Sequence, residues 1–261
     1  MFEFVYEELT TEQKNAYLER IGCQGIRELS RQTLDTLVYQ HQCTVPFEDL
    51  DLVVGVPDLP LDGEALFEKI VGRRRGGFCF ELNGLFVLLL RAMGFDAYSC
   101  MCRVAANRPV LGGLSHRACL VRLDGRMYLC DVGLGGPMAP FAVEVSETRQ
   151  TRHGETYWIE PTYEGWYLQK RLTSQGTEGN VIIFAPQPFL PTDFVPLCRA
   201  LISSPATLFR TTRLVNLRTE RGNINIRGDV LTVTENGEHR ERTFTEEEFP
   251  EILKTHFHME V

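Results

Sequence analysis

The chain of 261 residues has no apolar stretch long enough to cross a bilayer as a helix, so a membrane-embedded function is not expected. It also lacks a basic surplus. Its 27 Lys and Arg stand against 35 Asp and Glu, and the resulting charge of −8 argues against general nucleic-acid binding. The opening Met1-Phe2-Glu3-Phe4-Val5-Tyr6-Glu7-Glu8 lacks the basic region of a secretory leader, and a cytoplasmic protein is expected. There is no low-complexity tract and no repeat. Eight cysteines in a chain this large, without a leader, do not read as a disulfide framework. Cys100 and Cys102 share a face of a strand expected over 97–104, but no second clustered pair completes a metal site, and none is expected.

What remains is a chain with 43% hydrophobic residues, enough for a substantial core and more than one subdomain. Thr10-Thr11-Glu12-Gln13 reads as a capping box opening a helix that stops at Gly22. Leu34, Leu37, Val38 and His41 have helical spacing, which makes His41 a core residue, and Asp62 caps a helix carrying Leu66, Phe67 and Ile70. Strands are expected at 156–160, 165–169 and 180–184, before Pro186, Pro188 and Pro191. A helix over 192–203, strands at 208–217, 224–226 and 230–234, and a terminal helix opened by Thr245-Glu246-Glu247-Glu248 complete the chain.

Two segments carry chemistry. Arg75-Gly76-Gly77-Phe78-Cys79 precedes an apolar helical run over 81–93 that ends at Gly94. Cys79 therefore falls at or near a helix N-terminus, where free N–H groups and the helix dipole favour a thiolate. The two glycines are expected to let the backbone turn and to leave room beside the sulfur. Downstream, Asp124-Gly125 between two strand-like runs is a hairpin signal that sets Leu123 against Arg126 and Cys119 against Cys130. In that register Ala118 faces Asp131, and His116 becomes the diagonal neighbour of Asp131, within reach of a hydrogen bond. Cys119 and Cys130 then lie on the face away from that pair, as reduced core residues. Cys79, His116 and Asp131 together form a nucleophile, a base and an orienting acid.

These residues, with Val45-Pro46-Phe47-Glu48-Asp49-Leu50 and Asp131-Val132-Gly133-Leu134-Gly135-Gly136, resemble the arylamine N-acetyltransferases of the bacterial type. Tyr17-Leu18-Glu19-Arg20-Ile21-Gly22 and Thr33-Leu34-Asp35-Thr36-Leu37 resemble that family's N-terminal helices. The resemblance covers most of 10–140 and is weak beyond about 160. It implies an α+β fold: a helical bundle over 1–93 carrying the nucleophile, a β-barrel over 94–190 carrying His and Asp, and an α/β lid over 191–261. It also implies ping-pong transfer of an acetyl group from acetyl-CoA, through Cys79, to an aromatic amine, hydrazine or N-hydroxyarylamine. No permanently bound cofactor is implied. Arg75 would pair with Glu48 to brace the nucleophile loop; Phe47, Phe78 and Leu134 would meet the acceptor; Arg103, Gly135 and Gly136 would meet CoA, with Arg108 and Arg117 as further candidates. Asp49 stands where the family has Asn, bearing on hydrogen bonding near Arg75. Leu134 stands where it has Phe, bearing on acceptor choice. Papain-like or transglutaminase-like amidohydrolases use the same triad in the same chain order, and a non-catalytic relative holding CoA or an aromatic ligand is a further alternative.

Overall fold

The computed structural model describes residues 7–56, 58–106, 110–204 and 207–259. Helix α1 (Thr11–Arg20) opens with the expected box: the Gln13 amide donates to Thr10 Oγ1 and the Thr10 amide to Gln13 Oε1. Helix α2 (Arg31–Thr44) buries Leu34, Leu37, Val38 and His41. A two-residue strand, β1 (Phe47–Glu48), and a short helix, α3 (Leu50–Val53), follow. Asp62 caps α4 (Gly63–Phe67) by accepting from the Ala65 amide, and α4 runs directly into a π turn over Glu68–Gly72. Helix α5 (Cys79–Met93) is apolar enough that ten further consecutive residues beyond its first two are buried, so it forms the centre of the helical bundle. It ends at Gly94, as its sequence indicates.

Among the described residues two sheets form. The larger has eight strands in the order β5-β4-β3-β2-β9-β8-β7-β6, all antiparallel. They are β2 (Asp96–Val104), β3 (His116–Leu123), β4 (Arg126–Cys130), β5 (Val143–Glu144), β6 (Gln150–Arg152), β7 (Glu155–Pro161), β8 (Tyr167–Leu172) and β9 (Glu178–Phe184). Its two ends meet. Gln150 of β6 exchanges side-chain hydrogen bonds with the backbone of Glu144 on β5, and the Ile159 amide donates to Ser146 O, so the sheet curls into a nearly closed barrel. Asp124 and Gly125 both have positive φ (50° and 73°), the geometry that lets two residues join right-twisted strands. The expected pairings, Leu123 with Arg126 and Cys119 with Cys130, are present.

The C-terminal part is an α/β lid: α6 (Pro191–Ser203), α7 (Leu208–Thr211), strands β10 (Leu214–Thr219), β11 (Gly222–Arg227), β12 (Val230–Glu235), β13 (Glu238–Thr243) and α8 (Phe249–Phe257). Three details differ from the sequence expectation. The segment 208–217 begins as a helical turn and becomes a strand only at Leu214. Strand β13 is exposed at every position, so no apolar alternation marks it. Helix α8 starts at Phe249, just after the acidic run. The five-stranded sheet, β1-β10-β11-β12-β13, takes its first strand from far upstream: Phe47 pairs with Asn216 and Glu48 with Val215. Helix α8 covers it through Ile252, Leu253 and Phe257, which pack with Val215, Leu217, Ile226 and Leu231 in a second core. Among the described residues no helix is long and apolar enough to cross a membrane.

Candidate active site

Cys79 is the first residue of α5, with 4% of its surface exposed. The Phe78 amide ahead of it donates to Glu81 Oε2 (3.1 Å), which satisfies one of the donors a helix start leaves free. The glycines before it do not open space. A Cβ on Gly76 would lie 2.2 Å from Pro46 O, and one on Gly77 2.8 Å from Glu81 Oε2. Their role is close approach: the Gly77 amide donates to Pro46 O and the Glu48 amide to Gly77 O, which ties the loop to β1.

His116 and Asp131 meet as expected, with Nε2 to Oδ2 at 2.7 Å and both residues buried, although the β3–β4 pairing stops at Cys119 and Cys130 and does not extend to Ala118 and Asp131. The contact lies just past the end of β4, which stops at Cys130. With Nε2 occupied, Nδ1 is the ring nitrogen left for Cys79, whose thiol also lies 3.9 Å from Ser115 O. Burial disfavours a charged ring, but the Asp131 charge and hydrogen bond, with a smaller contribution from Cys79, raise His116 to about 10. For Asp131, burial pushes upward; His116, the Gly133 amide and Asn83 outweigh it and hold the carboxylate below its ordinary value.

Asn83, one helical turn after Cys79, is a site residue that the sequence reading missed. Its Nδ2 donates to Asp131 Oδ1 (2.9 Å) and Arg117 O (2.6 Å), and its Oδ1 accepts from the Val132 amide (3.0 Å). Its i+4 spacing from Cys79, inside an otherwise apolar run, is the signal that could have found it. Cys119 Sγ also reaches Asn83 O at 3.3 Å, so Cys119 is not turned away from the site: strand alternation no longer applies to Asp131, which lies beyond β4. The loop after Asp131 passes so close to the start of α5 that a Cβ on Gly133 would sit 2.9 Å from Cys79 Cα.

Beneath the helix start lies a buried ionic group. Arg75 donates to Glu48 Oε1 through Nε (3.1 Å) and Nη2 (2.8 Å), and to Asp51 Oδ1 (3.1 Å). Lys69, from the π turn, reaches Asp51 Oδ2 (2.7 Å) and both oxygens of Glu81 (2.8 and 3.0 Å). The Arg75–Glu48 pair was expected from the resemblance; Lys69, Asp51 and Glu81 were not. Asp49 does not join this group. It turns to β10, where Oδ1 accepts from the Leu214 amide (2.8 Å) and Oδ2 is buried with no hydrogen-bond partner among the described residues.

Phe78, next to Cys79 in the chain, and Phe47 of β1 are buried, and Phe209 of α7 lies against both, with ring centroids 6.5 and 6.4 Å away. Phe209 was not anticipated, because its segment reads as a strand. Leu134 is half-buried against the main core. Gly135 and Gly136 border a cavity of about 560 Å³ whose wall includes Arg171, Arg218, Asn216, Asn223 and Asn225. Arg103 is elsewhere: it donates to Gly112 O (2.8 Å) and its guanidinium lies over Trp166. Arg117 is a core residue, 1% exposed, bonded to Ser99 Oγ and Phe80 O and stacked on Phe194, so burial removes it as a surface contact for CoA. Arg108 lies outside the described residues.

A cysteine at a helix start, a buried imidazole–carboxylate pair and an α+β frame are the arrangement that a Cys-His-Asp triad requires. The chain belongs to the N-acetyltransferase family, whose model matches residues 30–261. It is 39% identical over 160 residues to the arylamine N-acetyltransferase / N-hydroxyarylamine O-acetyltransferase of Salmonella typhimurium, covering 60% of this chain and 56% of that relative. The alignment thus spans just over half the length of that relative. It is 34% identical over 229 residues to the arylamine N-acetyltransferase of Mycolicibacterium smegmatis, covering 85% of this chain and 82% of the other. The fold superposes on Mycobacterium marinum arylamine N-acetyltransferase in complex with CoA with a TM-score of 0.85 at 25% identity, covering 94% of this chain and 92% of that one.

Proposed function

We propose that this chain is a cytoplasmic arylamine N-acetyltransferase that moves an acetyl group from acetyl-CoA to an aromatic amine, hydrazine or N-hydroxyarylamine through an acetyl-Cys79 thioester. The observation that carries the reading is the buried 2.7 Å contact of His116 Nε2 with Asp131 Oδ2 beside a cysteine at a helix start. Asp131 fixes the ring so that Nδ1 takes the thiol proton as the sulfur attacks, and the Asp131 charge, which raises the ring, stabilises the imidazolium that forms. The sulfur attacks the acetyl carbonyl carbon. As the tetrahedral adduct collapses, the bond to the CoA sulfur breaks, and His116 gives its proton to that leaving thiolate. In the second half, the acceptor nitrogen attacks the thioester carbon and loses its proton to the neutral ring, and Cys79 leaves as a thiolate. Neither half needs an oxidant or a metal from outside.

The names of the relatives support the acceptor class, and the neighbour solved with CoA supports the donor. Phe47, Phe78 and Phe209 supply ring faces for an aromatic acceptor. The cavity at Gly135 and Gly136, with Arg171 and Arg218 in its wall, suits the polyanionic end of CoA. The test is single-turnover acylation read by intact mass, with Cys79→Ala as control. A Cys79-dependent acetyl adduct that an arylamine or arylhydrazine discharges supports the reading. No adduct on folded protein refutes it and returns the triad to an amidohydrolase or a binding protein.

A further inference from the structure

We propose that Lys69 is a positioning residue for Cys79: its buried ammonium neutralises Glu81, so that this carboxylate can cap the first turn of α5 without opposing negative charge on the sulfur. The inference rests on Cys79 being the nucleophile and adds a residue that neither the triad nor the Arg75–Glu48 brace includes.

The argument is one of charge balance. Three carboxylates, Glu48, Asp51 and Glu81, gather below the start of α5, and among the described residues Lys69 and Arg75 are the two cations bonded to them. Arg75 reaches Glu48 and Asp51. Glu81 is held by Lys69, through both of its oxygens. Glu81 occupies the third position of the helix, two residues from Cys79, and is 2% exposed, so water does little to screen it. An uncompensated carboxylate there would work against the helix dipole and against His116 in holding a thiolate. Lys69 is itself 5% exposed. Burial lowers it, but Glu81, Glu48 and Asp51 outweigh burial and raise it well above the ordinary lysine value, so the charge persists.

The π turn delivers it. The Arg73 amide donates to Glu68 O, five residues back, and the Arg75 amide to Lys69 O, so the turn that presents the ammonium also anchors the start of the nucleophile loop. Among the described residues the other ionisable groups that bear on the sulfur are His116 and the buried thiol of Cys102 from the barrel and the buried thiol of Cys198 from α6, with Asp131 acting through His116.

The experiment follows alkylation of Cys79 by iodoacetamide, read as the Cys79 peptide by mass spectrometry from pH 5 to 10, in wild type, Lys69→Met, Glu81→Gln and the double variant. Lys69→Met should react about tenfold more slowly at neutral pH, its rate–pH curve displaced upward by about one unit. Glu81→Gln keeps an oxygen for the Phe78 amide while freeing Lys69 of one carboxylate, and its curve should move to lower pH. The double variant should fall near wild type. If Lys69→Met does not fold, Glu81→Gln against the double variant decides, because the two differ only in the lysine. Coincident curves in that pair, or an unmoved curve in folded Lys69→Met, would overturn the proposal. Because alkylation needs no acyl donor, wild-type protein that alkylates as expected but is not acetylated by acetyl-CoA would sink the transferase reading and leave this one standing.

Discussion

Asn83 Nδ2 holds Asp131 Oδ1 at 2.9 Å, while His116 Nε2 holds Oδ2 at 2.7 Å, so the carboxylate is gripped on one side by the helix that bears Cys79 and on the other by the ring. The helix that begins at Cys79 and the Asp131 carboxylate are thereby one hydrogen-bonded unit. Asn83→Leu should leave Asp131 Oδ1 with the Gly133 amide as its remaining donor, costing about 1–3 kcal/mol of stability and slowing acylation at least tenfold. Urea unfolding and single-turnover acylation on the same preparation check both figures.

Asp131→Asn should fold, since Asn retains an oxygen for the Gly133 amide, but an amide cannot stabilise an imidazolium or select its tautomer. Acylation by acetyl-CoA should fall on the order of a thousandfold or more. Stopped-flow acylation of a variant with native circular dichroism gives the answer, and wild-type rates would remove Asp131 from the mechanism.

His41 predicts the acid limb of stability. It is fully buried against Tyr17 Oη at 2.8 Å, and burial lowers it to about 3. The unfolded chain binds the proton near 6.5 and the folded chain does not. Its contribution is therefore complete above pH 6.5 and declines as pH falls toward 3, by up to about 1.4 kcal/mol per pH unit. Urea midpoints between pH 7 and 4 should show this slope, and His41→Gln should flatten it.

Asp49 predicts a change in the opposite sense. Burial, with Glu48 beside it, raises this carboxyl to about 7 although the Leu214 amide pulls it down. An acid raised on folding contributes stability below its unfolded value of about 4 that is lost as pH rises through about 7. Asp49→Asn keeps the acceptor for Leu214 and carries no charge. It should be more stable than wild type above pH 7, with the advantage gone by pH 4. Thermal unfolding of the pair across that range measures the crossover.

Helix α5 was legible because an apolar run closed by Gly94 admits one structure, and the His116–Asp131 pair because Asp124-Gly125 pins the register up to Cys119 and Cys130, one residue short of Asp131. Both signals are local. The ionic group below Cys79 was only half legible: Lys69 sits between Leu66 and Ile70 on the inward stripe, where a charge is a visible anomaly, but its partners Asp51 and Glu81 are remote in sequence. Phe209 was hidden because β-branched and apolar neighbours give the four residues of α7 the look of a strand. Strand β13, charged and wholly exposed, offers no periodicity to read.

Strand β1 could not be foreseen at all, since two residues have no pattern, yet it sets an order of events during synthesis. One edge of Phe47–Glu48 bonds the loop that carries Cys79, and the other bonds β10, with Asp49 and Leu214 exchanging hydrogen bonds just beyond. While the ribosome has yet to deliver Leu214 and the strands after it, the brace under the thiol has no second neighbour. A nascent chain can thus have Cys79, His116 and Asp131 already synthesised and still hold Cys79 loosely, and the mature setting of that thiol comes only when the later stretch has emerged and docked.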